Sequence, residues 1–218
     1  MPYAVIYALI GYLSGSVLYA EVFCRIFGRK NAIEQSRDAN PGTANAFLYG
    51  GFWCGICTLI FDMAKGFVPV YAYVHMTQMN LAESNGLALV LAAPVAGHIF
   101  PVWHHFKGGK GIAATSGVAL SLLLFPKHCW VFAVFGLITF ASVTLISKYV
   151  SLGSLVFITL FLIEFLAFGA AGWLPLTGGA KLEAYGILIC LTVLAYIRHR
   201  GNIGRLMHGT ERKIGHKA

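Results

Sequence analysis

The chain of 218 residues is 58% hydrophobic and only 11% charged, with a mean hydropathy of +0.73. A soluble domain typically carries about 25% charged residues, so the composition excludes an ordinary soluble protein and predicts an integral membrane protein. The net charge of +8 would fit a nucleic-acid partner, but in a protein with several membrane spans it is more typical of cytoplasmic loops that face anionic lipid.

Seven apolar segments follow one another along the chain, and each is a candidate for crossing the membrane, which takes about 20 apolar residues per helix. They cover residues 3–27, 47–74, 86–103, 112–125, 129–147, 150–174 and 184–197. The predicted fold class is therefore all-α: a polytopic membrane protein with seven transmembrane helices, in one membrane-embedded domain over residues 1–218.

Three features inside these segments have more than one interpretation. Gly11 and Gly15 give the first segment a small-residue face suited to close helix packing. Asp62 and Lys65 share a helix face in the second, which favours a structural ion pair over a proton relay. The Cys54-x-x-Cys57 spacing could serve redox chemistry or zinc, but without a second pair it favours packing.

The distribution of positive charge predicts the orientation. With seven crossings, thirteen of the sixteen lysines and arginines fall on one side and two on the other, while Lys65 lies inside a helix. The positive-inside rule then places the N-terminus outside and the C-terminus in the cytoplasm. The polar segments 28–46, 104–111 and 198–213 consequently share the cytoplasmic face.

The sequence Lys107-Gly108-Gly109-Lys110-Gly111 is the strongest chemical signal in the chain. Glycine lets a backbone approach a ligand closely, and consecutive N–H groups before a helix N-terminus make an anion site. A tight basic turn between two helices would have the same composition. A phosphate cradle and a plain turn therefore both remain open at this point.

The other two polar segments offer groups that suit a polyol or a phosphate. Asn40, Gly42, Thr43 and Asn45 supply amides, a hydroxyl and backbone N–H groups, and they would equally suit a turn with a helix N-cap. In the tail, His199 could exchange protons near neutral pH. A metal site from His104 and His105 is not favoured, because no carboxylate stands nearby in the sequence.

Three motifs together resemble a known family. The sequence G-H-I-F-P-V-W-H-H-F-K-G-G-K-G-I-A-A-T resembles the second motif of the PlsY family of bacterial acyl-phosphate:glycerol-3-phosphate acyltransferases. N-P-G-T-A-N is similar to the end of its first motif, and R-H-R-G-N-I-G-R-L to its third. The similarity spans nearly the whole chain.

The resemblance implies transfer of an acyl group from acyl phosphate to the 1-hydroxyl of sn-glycerol 3-phosphate, which gives lysophosphatidic acid and phosphate. It implies no cofactor and no metal. The implied substrate-binding residues that match the family's motifs are Asn40, Gly42, Asn45, Gly108, Gly109 and Gly111, and the implied catalytic residues are Lys110, His199 and Asn202. Arg37, Asp38, Thr43, Lys107 and Arg198, which lie in or beside the same motifs, complete the predicted substrate-binding set. The donor's own phosphate would accept the hydroxyl proton.

The implied setting is the bacterial cytoplasmic (inner) membrane, where phospholipid synthesis begins. The expected partners are acyl phosphate and glycerol 3-phosphate as substrates and membrane lipids, with no nucleic acid and with the protein as a monomer. A paralogue that uses another acceptor and a small anion transporter are the alternatives. Against transport stands the clustering of the polar motifs on one face rather than at mid-membrane.

Three departures from the family pattern put the acceptor in question. Asp38 stands where the family has a serine, Leu48 where it has an arginine, and Gly201 where it has a glutamate. Because a carboxylate repels phosphate unless it is paired, Asp38 should face a cation. We expect that cation to be Arg37, which could also replace the missing family arginine in binding phosphate; the alternative has Asp38 facing the substrate.

Overall fold

The computed structural model describes residues 2–77, 86–121, 130–174 and 176–214, and all regular structure in these ranges is helical, which confirms the predicted all-α class. The helices are α1 Pro2–Gly15, α2 Tyr19–Ile26, α3 Thr43–Asn45 with a π-helical turn over Ala46–Gly50, α4 Phe52–Thr77, α5 Leu87–Ile99 with a 3-10 turn over Val102–His104, α6 Ile112–Ser121, α7 Trp130–Ser147, α8 Val150–Ala170, α9 Gly178–Arg198 and α10 Arg200–Met207.

Several of these helices could cross a membrane. By length and composition α4, α5 with its 3-10 turn, α8 and α9 qualify, and the bent pair α1–α2 brings the number to five among the described residues. Shorter apolar helices run over Ile112–Ser121 and Ala133–Ser147. The chain is thus a multi-pass membrane protein. The end of the fourth predicted segment, residues 122–125, and the start of the fifth at Cys129 lie outside the described residues.

The first predicted segment is not one helix, because the chain bends by 41° between α1 and α2. At the break Ser16 turns its hydroxyl back to the carbonyl of Tyr12, 2.9 Å away. A broken helix leaves carbonyl groups without their usual partners, and in a membrane each must find another donor. The carbonyl of Val17 finds the ammonium of Lys65 on α4, at 2.7 Å.

Small residues let two pairs of helices approach closely. A Cβ atom added to Gly15 on α1 would overlap the carbonyl of Pro94 on α5, so the predicted small-residue face does pack against another helix. A Cβ added to Gly66 on α4 would likewise overlap the carbonyl of Ala114 on α6. These two contacts hold α1 close to α5 and α4 close to α6.

The last helix was not predicted. Residues 200–207, interpreted from the sequence as part of a basic tail, form α10 after a break at His199, where φ is −94°. The backbone beyond α10 returns across the polar loops, and the N–H of Ile214 donates to the carbonyl of Lys148 at 2.8 Å. The tail therefore covers the end of the bundle where the polar segments meet.

Candidate active site

A cavity of about 540 Å³ lies where the three polar segments come together. Its polar wall includes Arg37, Asp38, Asn40, Thr43, Asn45, Lys110, His199, Asn202, Arg205, Glu211 and Arg212. Its apolar wall includes Phe47, Leu48, Leu59, Met63, Leu137 and Phe140. One side of the cavity therefore suits anionic groups and the other a hydrocarbon chain.

Asn45 organises the loop that carries the first motif. Its buried side-chain amide donates to the hydroxyl of Ser36, to the carboxylate of Asp38 and to the carbonyl of Asn40, at 2.8–2.9 Å. Its side-chain oxygen accepts from the guanidinium of Arg212 at 2.9 Å. The predicted role of Asn45 in ligand binding is therefore joined by a structural one, because it holds the loop against the tail.

Thr43 contributes a polar atom with no partner. Its Oγ1 is buried, lines the cavity wall, and has no hydrogen bond among the described residues. Gly42 precedes it in extended conformation as the N-cap of α3. A buried hydroxyl without a partner is costly, so Thr43 is suited to bind a ligand that enters the cavity.

Asp38 does face a cation, but the cation is Lys110 and not Arg37. The carboxylate lies 2.8 Å from the ammonium of Lys110, whereas the guanidinium of Arg37 donates to the carbonyl of Thr210 at 3.1 Å. The expected Arg37–Asp38 pair is therefore wrong. The sequence did not predict that the tail folds back over this loop. The tail supplies the hydrogen-bond acceptor that Arg37 contacts instead of Asp38.

The ion pair fixes the charge of Asp38. Burial alone would raise the pKa of this carboxyl group, but the ammonium of Lys110 and hydrogen bonds from Asn45 and the Asn40 backbone lower the pKa to about 2. The carboxylate is thus ionised at every physiological pH.

Gly108 and Gly109 do not cradle a ligand with their N–H groups. Gly108 donates to the carbonyl of Ile99 at 3.2 Å and Gly109 to the carbonyl of His98 at 3.0 Å. A Cβ atom on Gly109 would overlap the His98 ring. Both glycines are buried and lie outside the cavity wall, so they are needed for packing against the end of α5 and not for approach to phosphate.

Arg198 and Lys107 also lie outside the cavity wall, contrary to the expectation that they line it. The guanidinium of Arg198 donates to the carbonyls of Gly108 and Gly109, the second at 3.2 Å, and so holds the glycine loop onto α9. Lys107 is exposed to solvent. The spacing of the two lysines did not indicate that only one of them lines the cavity. The loop turns between Lys107 and Lys110, and only Lys110 points into the cavity.

The part of the second motif that faces the cavity is instead the start of α6. Gly111 has a φ of +81°, a conformation that glycine adopts without strain. It turns the chain so that Gly111, Ile112 and Ala113 line the cavity beside Lys110. The first N–H groups of a helix have no intrahelical acceptor and carry the positive end of its dipole. They suit a phosphate group.

His199 is positioned as a hydrogen-bond acceptor. The ring is buried, and its Nδ1–H donates to the carbonyl of Ala195 at 2.8 Å. In the neutral ring this leaves Nε2 with a free lone pair. Burial, together with the charge of Lys110, lowers the pKa of His199 to about 4, although the bond to Ala195 and the carboxylates of Glu211 and Asp38 act in the opposite direction. The ring is therefore neutral at physiological pH.

Glu211 was missed by sequence reasoning, although it connects much of the site. Its carboxylate accepts from Asn202 at 2.7 Å, from Ser151 at 3.0 Å and from Arg205 at 2.6 Å. These contacts join α10, α8 and the tail. The only sequence signal was one acidic residue in a basic tail, which could not indicate its partners. Asn202 is thus fixed by a carboxylate as it faces the cavity.

A buried charged cluster underlies the glycine loop. Lys65 lies 2.7 Å from the carboxylate of Asp62 and donates to Nδ1 of His98 at 2.8 Å. The ammonium also donates to the Val17 carbonyl. The predicted Asp62–Lys65 ion pair is confirmed. Asp62 and His98 also reach the inner wall of the cavity.

Two minor interpretations change in detail. A carboxylate does stand beside the histidine pair, since Nδ1 of His104 lies 3.5 Å from Glu21. No group of three or more metal-binding side chains occurs in the described ranges. Cys54 contacts Cys24 of α2, sulfur to sulfur at 3.3 Å, and not Cys57. Both thiols are free and buried.

The chain is similar to known proteins of one family. The sequence profile described as glycerol-3-phosphate acyltransferase matches residues 5–209. The glycerol-3-phosphate acyltransferase of Thioalkalivibrio sulfidiphilus is 38% identical, over 94% of this chain and 91% of that protein. That of Shouchella clausii is 34% identical, over 96% of this chain and 95% of that protein.

Solved structures agree. The chain is similar to the crystal structure of PlsY (YgiH), an integral membrane glycerol 3-phosphate acyltransferase, in its glycerol 3-phosphate form: TM-score 0.80, 28% identity, and 97% of this chain and 96% of that one covered. The lysophosphatidic acid form gives a TM-score of 0.78 over 97% and 95% of the two chains. The resemblance inferred from the motifs is confirmed, and the chain belongs to the glycerol-3-phosphate acyltransferase family of integral membrane enzymes.

Proposed function

We propose that this protein transfers an acyl group from acyl phosphate to the 1-hydroxyl of sn-glycerol 3-phosphate, forming lysophosphatidic acid and inorganic phosphate. The observation that carries the proposal is that one cavity has a basic polar wall and an apolar wall and is lined by residues of all three family motifs. Both proposed substrates carry phosphate, and one also carries a hydrocarbon chain.

The donor would lie between Lys110 and the start of α6, with its acyl chain along the apolar wall. The cations on the wall are Arg37, Lys110, Arg205, Arg212 and Lys213. They outnumber the acids there, Asp38, Asp62 and Glu211, and Asp62 is already paired with Lys65. The excess of positive charge suits two phosphate groups in one site.

The acceptor would be held by the remaining arginines, with its hydroxyl near His199 and Asn202. The hydroxyl oxygen attacks the acyl carbonyl carbon, and the bond from that carbon to the phosphate oxygen breaks. The hydroxyl proton passes to the departing phosphate, so no net proton is released. His199 Nε2 can accept the hydroxyl hydrogen bond and orient the nucleophile. No cofactor enters this scheme.

We further propose seven membrane crossings in one domain of a bacterial inner-membrane protein, working as a monomer. The bent pair α1–α2, the four long helices and the two shorter apolar helices α6 and α7 together supply seven. The charge distribution supports the N-terminus outside and the cavity at the cytoplasmic face, where soluble glycerol 3-phosphate would enter.

The purified full chain in phospholipid vesicles tests the reaction. With a long-chain acyl phosphate and glycerol 3-phosphate we expect lysophosphatidic acid and phosphate in equal amounts, and no ester from acyl-coenzyme A or acyl carrier protein. Phosphate release without ester would refute acyl transfer to glycerol 3-phosphate. The carboxylate of Asp38 beside Lys110 favours one alternative function, in which acyl phosphate is the donor and another small alcohol is the acceptor. Ester formation only with that alcohol would establish the alternative.

A further inference from the structure

The contact between Asp38 and Lys110 joins the first and second motifs across the cavity. The two side chains are 25% and 18% exposed, and their charged atoms are 2.8 Å apart. Asp38 is not held by Lys110 alone, because its other carboxylate oxygen accepts from Asn45 at 2.8 Å. The carboxylate would therefore stay in place if the lysine moved away.

This arrangement puts a resident anion against the cation that the proposed donor phosphate needs. An ammonium group paired at hydrogen-bond distance has lost much of its capacity to attract a second anion, and the carboxylate repels that anion directly. Two of the site's other cations are also engaged: Arg205 by Glu211, and Arg212 by Asn45. Asp38 is the anion in direct contact with Lys110 among the described residues.

We propose that Asp38 is an internal counter-anion that competes with phosphate for Lys110 and so limits how tightly the site holds phosphate. It gives up the lysine when the donor enters and takes it back when inorganic phosphate leaves. The inference rests on the proposed function, because it assumes that Lys110 contacts the donor phosphate. It makes Asp38 a determinant of phosphate affinity and of product release.

Inhibition by inorganic phosphate, one of the proposed products, measures this competition. We expect Asp38→Asn to lower the inhibition constant for phosphate about tenfold, in the range of coupling between groups in contact. Asp38→Asn keeps the size of the side chain and an oxygen for Asn45 but removes the charge. The KM for acyl phosphate should fall with the inhibition constant, and kcat should fall if phosphate release becomes slow.

Three further variants make the test specific. Glu34→Gln removes one negative charge from an exposed position in the same loop and should leave the inhibition constant unchanged. Lys110→Ala should raise it, and Asp38→Asn added to Lys110→Ala should then have no effect. Asp38→Ser repeats the test with a smaller side chain, should Asp38→Asn fold poorly.

The outcomes separate the two proposals. If Lys110→Ala weakens phosphate inhibition but neither Asp38 variant strengthens it, the counter-anion is refuted while the donor site stands. If Lys110→Ala leaves phosphate inhibition and the KM for acyl phosphate unchanged, the donor phosphate is held elsewhere and both assignments fail. Equal effects of Asp38→Asn with and without Lys110 would also overturn the inference, since the carboxylate would then act on another cation.

Discussion

At the scale of single residues, the lowered pKa of His199 predicts how activity depends on pH. Its pKa of about 4 means that Nε2 keeps its lone pair down to that pH. We expect the acid limb of kcat/KM to fall near pH 4 and not near 6.5, the ordinary value for histidine. His199→Ala should lower kcat by about 10²-fold and remove that limb.

His208 provides a matched control. It also follows a helix and places Nδ1 2.7 Å from the carbonyl four residues earlier, but it is exposed and lies outside the cavity wall. His208→Ala should leave kcat unchanged. If both variants lose the same activity, the effect belongs to the helix ends and not to the cavity.

The same pKa affects stability. Because the folded pKa of His199 lies below the unfolded value, the unfolded chain binds more protons between about pH 4 and pH 6.5. This residue therefore costs stability progressively as pH falls through that window. His199→Asn should flatten the pH dependence of thermal unfolding there. An unchanged slope would show that the ring is not held neutral.

Ala39 carries backbone strain that glycine would relieve. Its φ is +44°, in the left-handed region that costs an alanine roughly 1 kcal/mol. We expect Ala39→Gly to raise the free energy of unfolding by about 0.5 kcal/mol, since added freedom in the unfolded chain offsets part of the relief. Thermal unfolding in detergent measures it, and a lower midpoint would contradict the strain.

At the scale of helices, the bend between α1 and α2 depends on Lys65. Removing one partner of a buried ion pair typically costs about 3–5 kcal/mol, because it leaves an uncompensated charge. Lys65→Met would do this to Asp62 and would also leave the carbonyl of Val17 without its donor. We expect a loss of stability of that order in thermal unfolding.

The double variant Asp62→Leu with Lys65→Met separates the two effects. Removing both charges should recover much of the loss, and the remainder would report the Val17 carbonyl and the freed His98 ring. If the double variant is no more stable than Lys65→Met, the ion pair does not account for the loss.

Helix positions followed from the sequence, but helix breaks did not. Long apolar runs located α4, α5, α7, α8 and α9, because crossing a membrane requires them. The break at Ser16 was hidden inside an apolar run, since the lysine that stabilises it lies on another helix. α10 was hidden in a basic tail, since its partners on α8 and in the loops are distant in sequence.

At the scale of the whole molecule, the charge distribution predicts which side the cavity faces. Lys107→Cys and Gly179→Cys place thiols at exposed positions on the two predicted sides, in a chain whose five cysteines are replaced by alanine. A membrane-impermeant thiol reagent should label position 179 in intact cells and position 107 only in inside-out vesicles. Labelling of position 107 in intact cells would contradict the topology.

The sequence indicated which segments form the site but not which of their side chains line the cavity and which hold the loops in place. The motifs identified ten residues that line the cavity, among them Asp38, Lys110 and His199. They could not show that Gly108 and Gly109 pack against α5, that Arg198 holds the glycine loop, or that Arg37 turns to the tail. Those facts depend on contacts between residues far apart in the chain.

The central claim is that the donor phosphate binds beside Lys110 at the start of α6, and a pair of lysine variants tests it most directly. Both lysines flank the same two glycines, but Lys110 lines the cavity and Lys107 is exposed outside it. Lysophosphatidic acid formation should fall by about 10²-fold or more in Lys110→Ala, as for loss of one preorganised anion stabiliser, and stay near that of the unaltered protein in Lys107→Ala. Equal losses in both, or full activity in Lys110→Ala, would contradict the account.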